Sequence, residues 1–267
     1  MAEASSTPAT QPPPPSPLKL QDRVAIVTGG SRGIGRAISL HLASLGAKLI
    51  INYTSNSTQA NLLTTQINST SSSPRAVAVQ ADISDPLQVI HLFDTAESSF
   101  NSPIHILVNS AGVLDSSYSS IINTSVDDFD RTFRVNTRGA FLCCKEAGKR
   151  LGFGGRIVCM TSSMVVGLKP GYGAYAASKA AVEAMVKVMA KEMKGKGITV
   201  NCVAPGPVAT EMFYEGKTEE MVVRAIAECP LGRLGEVEDV APVVGFLVSE
   251  EGGWVNGQVV RVNGGYI

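Results

Sequence analysis

Tyr175 and Lys179 stand four residues apart in Tyr175-Ala176-Ala177-Ser178-Lys179. On a helix that spacing puts a phenol and an ammonium on one face, within reach of each other. A free phenol titrates near pH ~10, and a fixed cation beside it favours the phenolate, so the pair is suited to moving a proton at neutral pH. Ala174, Ala176, Ala177 and Ser178 are small and leave room for a ligand above that face. Ser162, 13 residues before Tyr175, adds a hydroxyl, and the three groups together suit carbonyl chemistry. Any amphipathic helix with a surface lysine meets the same spacing, so the residues upstream must decide.

Upstream, Val24-Ala25-Ile26-Val27 is a short β-branched run that ends in Thr28-Gly29-Gly30-Ser31-Arg32-Gly33-Ile34-Gly35. Ile34, Ala37, Ile38, Leu42 and Leu45 then recur at helical steps, with Gly46 where a left-handed cap belongs. This is strand, glycine turn, helix. Glycines let backbone approach a pyrophosphate, whose charge is favoured by the free N–H groups at the helix start. The spacing TGxxxGxG departs from GxGxxG, and the required context of strand before and helix after is met.

Further motifs follow in order: Ala81-Asp82-Ile83, Asn109-Ser110-Ala111-Gly112, Val135-Asn136-Thr137, then Ser162, Tyr175 and Lys179, Pro205-Gly206-Pro207-Val208-Ala209-Thr210 and Asn263-Gly264-Gly265. With the glycine turn, they make the chain resemble the short-chain dehydrogenase/reductase family from about Leu20 to the end. The stretch Gly173 to Phe213 looks most like the plant-type NADPH-dependent aldehyde reductases within it. One motif departs, since the family more often reads NNAG where this chain has Ser110. The resemblance implies a proton donated by Tyr175 to a carbonyl oxygen while hydride arrives from a nicotinamide ring, with Ser162 stabilising that oxygen. It also implies that Lys179 lowers the Tyr175 pKa and binds the nicotinamide ribose, and that Asn136 holds a water linking Lys179 to solvent. As cofactor contacts it implies Gly29, Ser31, Gly33, Ile34, Gly35, Asp82, Ile83, Asn109, Ala111, Gly112, Tyr175, Lys179, Pro205, Gly206, Val208 and Thr210. Of these, Asp82 would accept from the adenine amino group, while Thr210 and the Val208 backbone would orient the carboxamide.

The second strand decides which nicotinamide cofactor is expected. NAD sites place an acid at its end for the ribose 2′-hydroxyl, and NADP sites replace that acid and add cations. Ile51-Asn52-Tyr53-Thr54-Ser55-Asn56 contains no acid. Arg32 could reach a 2′-phosphate, joined by Asn52 or the Thr54 and Ser55 hydroxyls, so NADPH is predicted. Ser163 beside Ser162 leaves two candidates for the active serine, and spacing from Tyr175 and from Arg156 favours Ser162.

Strand-like runs at Val24 to Val27, Lys48 to Asn52, Ala76 to Gln80, Ile104 to Val108, Arg156 to Met160, Thr199 to Val203 and Gln258 to Val262 alternate with helical segments. That alternation predicts an α/β fold, one doubly wound Rossmann-type domain with a seven-stranded parallel sheet over residues 20–267. Asp85 with Pro86, and Ser125 with Asp128, read as helix starts, and Val126, Phe129, Phe133 and Ala140 read as one stripe. Ligands in such sheets sit at the carboxyl ends of strands, where the motifs all fall.

Composition narrows the function classes. Net formal charge is zero, with 23 residues of each sign, which leaves no basic field for nucleic acid. Five cysteines without a CxxC pair and three scattered histidines point to buried thiols in a reducing compartment and to no metal site. Residues 1–19 are Pro/Ser/Thr-rich and read as a disordered tail. Lacking arginine and any long apolar run, that tail favours the cytosol over an organelle or membrane, with its serines and threonines keeping a plastid address open. The segment 210–231, with Met212, Phe213, Tyr214, Met221 and Val222, is expected to be a substrate lid and points to an apolar or aromatic carbonyl compound.

The reading is an NADPH-dependent reductase of aldehydes or ketones. Its alternatives are a dedicated steroid, ketoacyl or specialised-metabolite keto-reductase or dehydrogenase, and a non-catalytic NADP-sensing or partner-binding module. A homotetramer or homodimer is expected from the family, with Val182, Met185, Val186, Val188 and Met189 giving apolar character to both faces of one long helix.

Overall fold

Every residue of the strands Val24–Thr28 (β1), Arg156–Met160 (β5) and Thr199–Pro205 (β6) is buried, which only a sheet covered on both faces allows. The computed structural model describes residues 19–267, so the tail read as disordered lies, Lys19 apart, outside the described residues. After β1 come α1 (Gly33–Ser44), β2 (Lys48–Tyr53), α2 (Ser57–Asn68), β3 (Ala76–Gln80), α3 (Pro86–Phe100) and β4 (Ile104–Asn109). A 3₁₀ turn, Ile121–Asn123, leads to α4 (Val126–Phe133), a π-helical turn (Arg134–Gly139), α5 (Ala140–Arg150) and β5. Then follow α6 (Met164–Gly167), α7 (Gly173–Glu192), β6, α8 (Glu211–Tyr214), α9 (Glu219–Ala227), α10 (Val237–Val248) and β7 (Val259–Val262).

The seven strands are all parallel in the order β3-β2-β1-β4-β5-β6-β7, the doubly wound arrangement expected. Chain direction across the sheet reverses between β1 and β4, so a crevice opens at their carboxyl ends. One core layer packs Leu92, Phe93, Leu107, Ile157, Val182 and Val186 beneath α3, α5 and α7. The other packs Val27, Ile38, Leu42, Val158, Val240 and Val244 beneath α1 and α10.

The helix starts form as their side chains dictate. Asp85 accepts from the Leu87 N–H at 2.8 Å, and Ser125 accepts from the Asp128 N–H at 3.1 Å. Gly46 takes φ 91° just past α1. The stripe on α4 differs from the expectation. Val126 and Phe129 are 75% and 43% exposed, whereas Ala140 is buried. The π-helical turn between them carries wider i→i+5 spacing, which rotates the following residues off the first stripe.

Candidate active site

The β1–α1 turn is built for a backbone-lined cradle. Gly29 and Gly33 are left-handed, at φ 58° and 51°. A Cβ on Gly35 would lie 2.3 Å from the Gly29 carbonyl oxygen, and one on Gly29 would lie 2.8 Å from the Ala111 Cα. Thr28 Oγ1 accepts from the Ser110 and Ala111 N–H groups at 3.0 and 3.1 Å, tying the Asn109–Gly112 loop to the glycine turn. These close approaches, and a helix N-terminus with no acid in its first turn, fit the phosphates of a dinucleotide.

Around the cradle, Ser31 is buried, Ile34 is half-buried and Arg32 is exposed, with one weak ion pair among the described residues, 3.5 Å to Glu211. Tyr53 is half-buried and Thr54 exposed at the end of β2. Asn52 is corrected: its side chain is buried, accepts from the Gly29 N–H at 3.3 Å and donates to the Ala81 carbonyl at 2.9 Å. It braces the glycine turn from beneath, because a buried amide must find partners inside. Asp82 accepts from the Ser84 N–H and hydroxyl through Oδ1, both at 2.8 Å. Ile83 is buried, 2.7 Å from the Cβ position that Gly139 leaves empty. The Asn109 side chain turns inward, donating to the Cys144 and Cys159 sulfurs at 3.4 and 3.5 Å. Only its backbone remains for the cleft, and its Oδ1 is buried without a partner.

Beyond β5, the two serines separate. Ser163 is 1% exposed, donates to the Ala204 carbonyl at 3.2 Å and accepts from Asn263 at 3.1 Å. Ser162 accepts from the Met164 N–H at 3.1 Å and lies close enough to the Tyr175 phenol to draw its pKa down. The rigid α7 carries Tyr175 and Lys179, and the lysine donates to the Met160 carbonyl at 2.9 Å. Its ammonium lies 5.8 Å from the Tyr175 ring centroid. Burial lowers Lys179 to about 8. The expected lowering of Tyr175 is not what the structure has. Burial pushes the phenol up, Ser162 draws it back and Tyr172 adds to the rise. Desolvation outweighs an ammonium that is directed at a backbone carbonyl.

Asn136 sits in the π-helical turn, buried. Its Oδ1 accepts from the Val113 N–H at 2.8 Å, and its amide donates to the Val113 carbonyl at 2.9 Å and to Ser178 at 3.1 Å. A Cβ on Gly112 would stand 3.2 Å from Lys179 Nζ and 3.3 Å from Asn136 Oδ1, so this glycine keeps the lysine and asparagine facing across a gap. On the opposite wall, Gly206 packs on Asn263 and Val208 is buried. Thr210 Oγ1 caps α8 through the Phe213 N–H at 3.2 Å, and its methyl lies 3.7 Å from the Gly33 Cβ position. Pro205 ends β6 beside them.

The segment 210–231 carries both apolar and charged side chains: Met212, Tyr214 and Met221 are exposed, as are Glu211, Glu215, Glu219, Glu220, Arg224 and Glu228, and Lys217 stands over the rings of Tyr118, Tyr172 and Phe213. Sequence reasoning missed Tyr118, Tyr172 and Lys217, which no fixed spacing connects.

A twisted parallel sheet with a glycine cradle and a Ser–Tyr–Lys group at one edge defines a nucleotide-dependent oxidoreductase architecture. The chain belongs to the short-chain dehydrogenase/reductase family: a family model described as enoyl-(acyl carrier protein) reductase matches residues 29–267. An NADPH-dependent aldehyde reductase-like protein, chloroplastic, of Arabidopsis thaliana is 61% identical over 94% of this chain and 96% of its own. NADPH-dependent aldehyde reductase 2, chloroplastic, of the same plant is 55% identical over 93% and 95%. A short-chain dehydrogenase from Burkholderia cenocepacia, solved in complex with NADP, is 36% identical with a TM-score of 0.86, covering 93% of this chain and 99% of that one.

Proposed function

We propose that this protein is an NADPH-dependent reductase of aldehydes and ketones, with Tyr175 as proton donor. The observation that carries it is the meeting of Ser162, Tyr175 and Lys179 beside the glycine cradle, in a chain 61% identical to an NADPH-dependent aldehyde reductase-like protein. When bound, NADPH supplies the hydride. A phenol pushed up by burial stays protonated at neutral pH, the state a donor to a carbonyl oxygen needs. Ser162 holds that oxygen and stabilises its developing charge. Lys179, which gives one ammonium proton to the Met160 carbonyl, would hold the nicotinamide ribose with the others, and a water between it and Asn136 would return the proton. The gap that Gly112 keeps supports this last step.

The remaining contacts belong to the same reading. Gly29, Ser31, Gly33, Ile34 and Gly35 hold the pyrophosphate, and Asp82 with Ile83 hold the adenine. The backbone of Asn109 with Ala111 and Gly112, and Pro205 with Gly206, would line the cofactor, while Thr210 and the Val208 backbone would orient the carboxamide. Exposed Arg32, with Tyr53 and Thr54 beside it, takes the 2′-phosphate, a role supported by the missing acid at the end of β2. The segment 210–231 covers an apolar or aromatic substrate.

Absorbance of NADPH tests this against aliphatic, aromatic and unsaturated aldehydes, a ketoacyl thioester and a ketosteroid. Broad aldehyde turnover that falls about 10²- to 10⁴-fold in Tyr175→Phe is expected, and Arg32→Ala should weaken NADPH more than NADH. Turnover of the thioester alone, or of none, would refute the reading.

Two assignments extend it. Among the described residues no helix is long and apolar enough to cross a membrane. The sequence reading favours the cytosol, whereas the names of both Arabidopsis relatives favour the chloroplast, and we adopt the plastid. A fluorescent fusion of the full chain that stays cytosolic in leaf cells would overturn this. A homodimer or homotetramer through α4, α5 and α7 is also proposed.

A further inference from the structure

Three loops that are distant in sequence meet at one cation. Lys217, in the turn between α8 and α9, donates to the Tyr118 hydroxyl and, at 2.6 Å, to the Phe213 carbonyl. Its ammonium lies 4.5 Å from the ring centroids of Tyr118 and Phe213 and 5.9 Å from that of Tyr172. It makes no salt bridge among the described residues, so aromatic faces and two oxygens are its whole support. The Tyr118 hydroxyl in turn donates to the Glu215 carbonyl at 3.1 Å, a second stitch to the same turn.

The backbone is shaped to let these loops touch. Gly216, at φ 71°, has its Cβ position 2.1 Å from the Ser116 carbonyl oxygen, and Gly171, at φ 85°, has its own 2.7 Å from that of Tyr118. Tyr118 itself is left-handed at φ 49°, a conformation that costs energy for a bulky residue and persists where surroundings hold it. The cluster also reaches the site, since the Tyr172 ring stands 5.2 Å from Tyr118 and 6.4 Å from Tyr175.

We infer that Lys217 is a specificity-determining residue: seated among Tyr118, Tyr172 and Phe213, its ammonium latches the 210–231 segment across the substrate end of Tyr175 and limits the size of carbonyl compound that fits. This rests on the reductase reading of the site. A small aldehyde benefits from the latched state, which excludes water and confines it against Tyr175. A bulky one must hold the segment ajar and gains nothing from the latch. The latch is a few contacts around one side chain, so it can open for exchange in each turnover.

Lys217→Met keeps the length and apolar stem of the side chain and removes the charge. Its kcat/KM for propanal should fall about tenfold while that for a bulky aromatic aldehyde holds or rises, with NADPH affinity unchanged; Lys217→Arg should retain the wild-type ratio. Equal losses for both aldehydes, or no change in their ratio, would overturn the inference. Amide hydrogen exchange over residues 211–227, with NADPH bound, reads the latch apart from turnover. Faster exchange there in Lys217→Met, with other elements unchanged, is expected, and unchanged exchange would overturn the latch. A wild type that latches by exchange but reduces no aldehyde would sink the reductase reading while leaving the latch in place.

Discussion

At the residue scale, neighbouring serines with the same chemistry have different environments. Ser163 is bonded to the Ala204 carbonyl and to Asn263, and Ser162 lies beside the Tyr175 phenol. Ser162→Ala should therefore lower kcat by about 10²-fold with little change in melting temperature, the loss of one oxyanion donor. Ser163→Ala should instead cost about 1–3 kcal/mol of stability, by leaving the Ala204 carbonyl and Asn263 amide short of a partner. Equal mild losses in both activities would remove serine from the mechanism. Lys179 gives a pH signature. Its ordinary 10.5 falls to about 8 on burial. Between those values the unfolded chain binds the proton more than the folded one, so stability rises with pH; below pH 8 both are protonated and the burial penalty is full. The melting temperature of the cofactor-free wild type, relative to Lys179→Met, should climb from pH 8 to 10, and a flat difference would contradict it. Lys217, also lowered to about 8 by burial, is present in both proteins and cancels in the comparison.

At the element scale, the strands and helix starts follow local rules. β-branched runs became strands, and Asp85 and Ser125 became caps because each satisfies the free N–H groups of its own helix. The π-helical turn at Arg134–Gly139 had no such local signal. Its buried Asn136 is fastened to Val113 and Ser178, contacts that exist only once β4 and α7 are in place. The glycine turn is local again and its limits are sharp. Gly35→Ala would press a methyl against the Gly29 carbonyl, 2.3 Å away. Overpacking of this kind costs about 1–3 kcal/mol, and because the strain falls on the cradle, NADPH titration should show weaker binding even below the unfolding transition. Unchanged affinity would mean the turn relaxes without reshaping the cradle.

On the scale of the whole molecule, apolar surface remains that one chain does not cover. Val126, Phe129, Phe141 and Val188 are exposed on α4, α5 and α7, and a groove of about 890 Å³ there is lined by Phe133, Phe141 and Met185 together with Asp127, Asp128, Asp130, Arg131, Arg134 and Arg138. Of the apolar residues expected on both faces of α7, Val182 and Val186 point into the core while Val188 is 56% exposed. An exposed face of this kind marks an interaction surface. Light scattering at micromolar concentration should give a dimer or tetramer of the 28.0 kDa chain, and Phe141→Arg should shift it toward the protomer. A wild-type monomer would refute the interface.

The amino-acid order alone determined the doubly wound sheet, the glycine cradle, the Tyr175–Lys179 pair and the missing acid after β2. The motifs are each written within a few neighbouring residues and the sheet in the alternation of strand and helix patterns along the chain, so periodicity and spacing suffice. Spacing already favoured Ser162 over Ser163, whereas tertiary structure alone decided that Asn52 and Asn109 turn inward and that burial raises the phenol. It alone also brought Lys217 to Tyr118, 99 positions away. Such features depend on which groups are taken from water together and on what partners they then find, and a linear sequence states neither.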